Sequence, residues 1–151
     1  MVKNRSDWEQ YFQSLTLEGR AFIDGQYCWA ASGQTFASNS PVDGRFLANV
    51  ASTDVADADI AVQAARRAFE SGVWSRLAPV ERKRILIRFA DLILAHREEL
   101  ALLETLDMGK PISDALAIDV PATANAIRWN AEAIDKIYDE VAPTSADQLG
   151  L

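Results

Sequence analysis

The sequence predicts a helix-dominated domain whose β-structure is confined to small hairpins near the start. Residues 79–111 carry one uninterrupted helical pattern, and a second follows Pro111 as far as about residue 141. Residues 20–52 instead alternate short apolar runs with turn signals, above all Asp24-Gly25 and Pro41-Val42-Asp43-Gly44.

In chain order, SDWEQYFQSL offers a Ser6 or Asp7 N-cap and a Trp8, Phe12, Leu15 spacing, which predicts a short amphipathic helix as a peripheral arm. Next, Phe22-Ile23 and QYCWA flank the Asp24-Gly25 turn. QTFAS then pairs with RFLANVAS around Pro41–Gly44 as a second hairpin, so hairpins occupy about 20–52. Thr53 or Asp54 caps a helix over about 54–71, with Ala58, Ala61, Val62, Ala65 and Phe69 on one face and Gly72 beyond its end. Trp74 is expected to plug the junction with the next helix. That helix, about 79–108, opens on Pro79 and stops at Gly109 and Pro111. Ile85, Phe89, Leu92, Ile93, His96, Leu100 and Leu103 share one side of it. At roughly 43 Å it is longer than a small domain needs, which predicts a bend near His96 or a larger protein around it. Pro121 cannot lie deep in a helix, so the last helix is expected over about 119–140, capped by Asp119 or Val120. Val120, Ala124, Ile127, Ala131, Ile134 and Tyr138 form its inner face.

Composition is that of an ordinary globular chain: 151 residues, 49% hydrophobic and 25% charged. A net charge of −7 with scattered basic residues argues against nucleic acid as a partner. No apolar run approaches a membrane span and the start is too polar for a secretory signal, so the expected compartment is cytoplasmic with no membrane partner. Cys28, the single cysteine, excludes an internal disulfide, and no Lys, Arg or His stands beside it in sequence to activate it. His96 has no second His or Cys at ligand spacing. No GxGxxG or GxxxxGK[ST] pattern occurs. Asp107 stands out because a carboxylate at the C-terminal end of a helix opposes the dipole. Either Lys110 or a hard cation bound by oxygen ligands offsets it.

The F-I-D-G and P-V-D-G turns, the Ala-rich helix leading to Trp74, ELALLETLDMGKPI and AIRWNAEAIDKI follow one another in an order and spacing that resembles the N-terminal portion of the NAD(P)-dependent aldehyde dehydrogenase superfamily. ETLD-x-GKP is the most specific piece. The resemblance runs from about Gly19 onward and is nearest to bacterial γ-glutamyl-γ-aminobutyraldehyde dehydrogenases, enzymes of putrescine and polyamine breakdown. It implies an α/β family fold, and an enzyme that oxidises an aldehyde to the acid through a cysteine thioester, with NAD or NADP taking the hydride. The family's catalytic cysteine, glutamate, asparagine and nucleotide-binding turns lie beyond the residues matched, so the chain reads as an N-terminal fragment that is inactive alone. The resemblance further implies a structural Na+ or K+ at Asp107 with Ser38 and Asn39, a small-molecule aldehyde substrate, and a homo-oligomer (dimer or tetramer) as the full-length protein. Asp119 falls where amino-aldehyde enzymes of the family present a carboxylate to the substrate tunnel; capping of the last helix is the alternative. The rival to the whole reading is a stand-alone helical interaction module that keeps the family's shape without its chemistry.

Overall fold

Asp24 and Gly25 both take positive φ, 53° and 78°, the backbone that a two-residue hairpin turn requires. In the computed structural model, which describes residues 3–136, they join β1 (Ala21–Ile23) to β2 (Gln26–Cys28) as an antiparallel pair. The rings of Phe22 and Tyr27, directly opposite each other, lie 5.0 Å apart. β3 (Thr35–Asn39) pairs with β4 (Phe46–Ala51), and the register shifts between Ser38 and Asn39. The Gly19 carbonyl accepts from Ala51 N at 2.8 Å and so connects the two hairpins. A Cβ at Gly19 would lie 1.9 Å from the Asn49 carbonyl oxygen, so only glycine fits there.

α1 (Arg5–Ser14) begins at Asn4, not at Ser6 or Asp7. The Asn4 side chain accepts from Asp7 N while Asp7 accepts from Asn4 N, a reciprocal cap in which Asp7 is the third helical residue. Lys3 ties this arm to the body through Glu98 at 2.5 Å and lies over the rings of Trp8 and Tyr11. α2 (Val55–Ser71) uses the same device, with Asp54 as cap and Asp57 three residues on, and closes on Gly72 at φ 79°. Asp57 is buried because it does two things: its Oδ2 accepts from Asp54 N at 3.0 Å, and its Oδ1 accepts from Ala31 N at 2.8 Å in the loop after β2.

α3 (Pro79–Ala95) and α4 (Arg97–Met108) meet at His96, whose φ of −98° and ψ of 21° leave the helical region. The bend therefore falls at the residue expected. The apolar stripe does not stay together, however. Ala90 and Ile93 turn toward the interior, whereas Ile85, Phe89 and Leu92 are 44%, 50% and 47% exposed. Trp74, expected to plug the helix junction, also keeps 40% of its surface open.

After Pro111 the backbone stays helical through α5 (Ile112–Asp114), a π-helical turn (Ala115–Asp119) and α6 (Val120–Ala133). The α-helix thus begins beside Asp119 as expected, but no break precedes it, and the expected cap by Asp119 is corrected. Asp119 has helical φ and ψ of −68° and −52° and makes no side-chain cap. The physical reason is the widened turn: Val120 N donates to the Ala115 carbonyl five residues back, just before Pro121, whose missing N–H needs no partner. The extension of this helix to about residue 140, with Tyr138 on its face, lies outside the described residues. Val120, Ala124 and Ala131 are buried and Ile127 and Ile134 half-buried, as the spacing predicts. This face packs on α3, fastened at its edge by Lys83 to Glu132 (2.7 Å) and Asp135 (3.1 Å) and by Arg128 to Asp91. α4 adds Ala101 to a small cluster with Ala115 and Val120.

Candidate functional site

The last turn of α4 and β3 come together because of two local features. Gly109 ends α4 in the left-handed region at φ 78°, and its missing side chain leaves room for Pro41, whose Cγ would stand 3.1 Å from a Cβ there. The loop between β3 and β4 therefore seats against the end of α4. Ser38 on β3 then reaches Asp107: its Oγ donates to Asp107 Oδ1 at 3.3 Å. Asn39 is the next residue, across the register shift, and pairs with Phe46. An irregularity of this kind turns main-chain groups out of the ladder. Two of the three residues expected around a cation thus touch directly, and the third adjoins them.

Lys110 is not the partner of Asp107. Its Nζ lies 2.6 Å from Asp119 Oδ2, a contact of charges whose angles fall short of a regular hydrogen bond. The side chains of Lys110 and Asp119 are 32% and 30% exposed. The Asp119 carboxylate holds the Lys110 ammonium above the usual lysine range, partial burial opposes this, and the charges of Glu104 and Asp114 add to it. Asp119 thus neither caps a helix nor joins the Ser38–Asp107 pair; it forms a second polar site, on the π-helical turn. Sequence spacing did not reveal the Lys110–Asp119 pair, because eight residues, Pro111 to Ile118, stand between its members.

A groove of about 600 Å³ runs beside the Ser38–Asp107 pair, lined among others by Tyr27, Leu103, Glu104 and Glu18. Glu18 is held down to about 2 by hydrogen bonds from Arg20, whose Nε and Nη2 reach its two oxygens at 2.8 and 2.6 Å. Cys28 is half-buried in β2, its thiol 3.7 Å from the Ala21 carbonyl, and His96 is exposed beside Glu99 at 3.2 Å. Among the described residues no three His, Cys, Asp or Glu side chains are grouped to hold a metal, and no helix is long and apolar enough to cross a membrane. A cation at Asp107 would therefore draw mainly on hydroxyl and carbonyl oxygens. The glycines at positive φ (Gly25, Gly33, Gly44, Gly72, Gly109) serve separate hairpin, loop and helix-end turns; none opens a helix directly after a strand.

The family model of the aldehyde dehydrogenase family matches residues 11–151. The NADP/NAD-dependent aldehyde dehydrogenase PuuC of Escherichia coli (strain K12) is 51% identical over 144 residues, which are 95% of this chain and 29% of that protein. The aminoacetaldehyde dehydrogenase of Pseudomonas aeruginosa is 47% identical over 148 residues, 98% of this chain and 30% of that protein. Among solved structures, the P. syringae indole-3-acetaldehyde dehydrogenase AldA, in complex with NAD+ and IAA, superposes with a TM-score of 0.91 at 64% identity, covering 98% of this chain and 30% of that one. A γ-glutamyl-γ-aminobutyraldehyde dehydrogenase from Burkholderia cenocepacia gives 0.88 at 54% identity, covering 93% and 28%. The chain spans about 30% of the length of the curated relatives it matches.

Proposed function

The chain belongs to the aldehyde dehydrogenase family, and from that premise we propose that it is the part of an NAD(P)-dependent aldehyde dehydrogenase that flanks the dinucleotide-binding domain. The observation that carries this reading is the uncovered apolar surface. Ile85, Phe89 and Leu92 on α3, Ile60, Val62 and Phe69 on α2, and Trp129 on α6 are all 44% or more exposed, too many for a self-contained domain. A stand-alone interaction module would have a more polar, closed surface.

In the full-length protein this reading assigns oxidation of an aldehyde to its acid, in the cytoplasm, by a dimer or tetramer, with hydride passing to NAD or NADP. The substrate class is an ω-amino-aldehyde such as γ-glutamyl-γ-aminobutyraldehyde, with Asp119 facing the amine end. The names of the P. aeruginosa and B. cenocepacia relatives support that class. A second reading, a neutral arylacetaldehyde, is supported by the 64% identity to AldA and by the Lys110 ammonium already neutralising Asp119. NADH formation tests the proposal. The full-length polypeptide should reduce NAD(P)+ with aminoacetaldehyde, while the pure 151-residue chain forms none; turnover by the short chain overturns the assignment.

A monovalent cation is proposed at Asp107, held with main-chain oxygens of Ser38 and Asn39. The Ser38–Asp107 approach and the register shift beside it support this. Replacing tetramethylammonium with K+ or Na+ should raise the Tm of the full-length protein and leave that of its Asp107→Ala variant unmoved. Equal responses of the two proteins would remove the site.

A further inference from the structure

The Lys110–Asp119 pair carries a consequence for substrate choice that rests on the reading of Asp119 as facing the substrate. We infer that Lys110 is an exchangeable counter-ion, a specificity-determining residue that sets how strongly the site prefers a cationic over a neutral aldehyde.

Four observations lead there. The ammonium contacts Asp119 Oδ2 at 2.6 Å, so the carboxylate is not free to receive a second cation without displacing the first. Both side chains retain about a third of their surface, while Asp119 Oδ2, the oxygen in contact, is itself enclosed, so a guest cation reaches it only as Lys110 leaves. The charges of Glu104 and Asp114 also favour the Lys110 ammonium, although Asp119 is its one ion-pair partner among the described residues. When a guest ammonium takes Asp119, Lys110 therefore keeps negative neighbours to turn toward, and the exchange costs less than breaking an isolated pair. Finally, Lys110 follows Gly109, at φ 78°, and Asp119 sits on the π-helical turn. Neither residue is locked in the middle of a regular helix, and a π-turn inside a helix is a frequent mark of a functional position.

The exchange puts Lys110 in competition with a cationic substrate. A neutral aldehyde has no reason to displace it. Lys110 thereby lowers the enzyme's discrimination, keeping neutral substrates competitive, and its removal leaves Asp119 unpaired for the amine.

The test is steady-state kinetics of the full-length enzyme with aminoacetaldehyde and with propanal, which has the same shape without the charge. The readout is the ratio of the KM for aminoacetaldehyde to that for propanal. Lys110→Met should lower this ratio about 2- to 5-fold, the scale of a part-exposed ion pair. Lys110→Arg should keep it near the parent value, and Asp119→Ala should raise it. An unchanged ratio in Lys110→Met beside a raised one in Asp119→Ala overturns the exchange while leaving Asp119 its role. A ratio moved by neither variant removes both. Should Lys110→Met fail to fold, Lys110→Gln, which keeps length and a hydrogen-bonding end, takes its place under the same expectation.

Discussion

Asp57 is the clearest case of one side chain organising its surroundings. Its two oxygens satisfy one main-chain N–H at the start of α2 and another in the loop that leads from β2, 26 residues earlier. The position is also favourable for charge, because the N-terminal end of a helix attracts a carboxylate. Asp57→Ala leaves two donors in a poorly hydrated corner, and an orphaned buried donor costs about 1–3 kcal/mol. Urea unfolding should show a loss of that size, against less than about 0.5 kcal/mol for the exposed Asp59→Ala. Equal losses would mean that Asp57 is only one more surface carboxylate. Asp54 was legible as one of two candidate caps, with Thr53, but the bonds that Asp57 makes to Asp54 and to Ala31 were not: nothing in the sequence says which loop folds back on a helix start. The same limit hid the link between Lys110 and Asp119. Gly19 hid in another way, since its need for glycine comes from the close approach of Asn49 and not from a turn.

At the scale of elements, what was legible is what is local. Asp24-Gly25 has φ values that few other residue pairs adopt, and the hairpin appears where it was read. Gly72 and Gly109 end helices in the left-handed region, as their place after apolar periodicity indicated. His96 interrupts a helical run too long for a domain of this size. Two other elements escaped because their geometry depends on more than one turn. Pro121 argues for a helix start near Asp119 because proline is excluded from the interior of a helix that keeps a four-residue ladder. The π-turn lengthens that step to five, and the run from Ile112 stays helical. The α3 stripe failed for a different reason. Periodicity identifies a face, but it does not say what covers it. Ala90 is buried and Ile93 packs on the cluster of Ala101, Ala115 and Val120, while Ile85, Phe89 and Leu92, on the neighbouring arc, are left half-open. Ala58, Val62, Ala65 and Phe69 of α2 are likewise exposed, although their spacing is that of an inner face.

Across the whole molecule these open faces are the feature that a self-contained fold does not explain, and a substitution distinguishes the two accounts. The buried interior is mostly alanine: Ala64, Ala90, Ala101, Ala115, Ala124 and Ala131 are enclosed, while Phe22, Phe36, Phe46, Phe69 and Phe89 are at least half-exposed. Small residues let helices approach closely, but they bury little apolar area each, so such a core contributes modestly to stability. The larger contribution has to come from surfaces that the described residues leave open. Phe89 measures it. In the 151-residue chain Phe89→Ser removes a half-exposed ring and should cost less than about 0.5 kcal/mol. In the full-length polypeptide, if the rest of the family fold covers α3, the same change empties a buried site and should cost about 3–5 kcal/mol. Chemical denaturation of the full-length protein decides it. A loss of several kcal/mol places α3 at an internal boundary of a larger enzyme, whereas a loss below 0.5 kcal/mol would leave the face open there too and favour the interaction module.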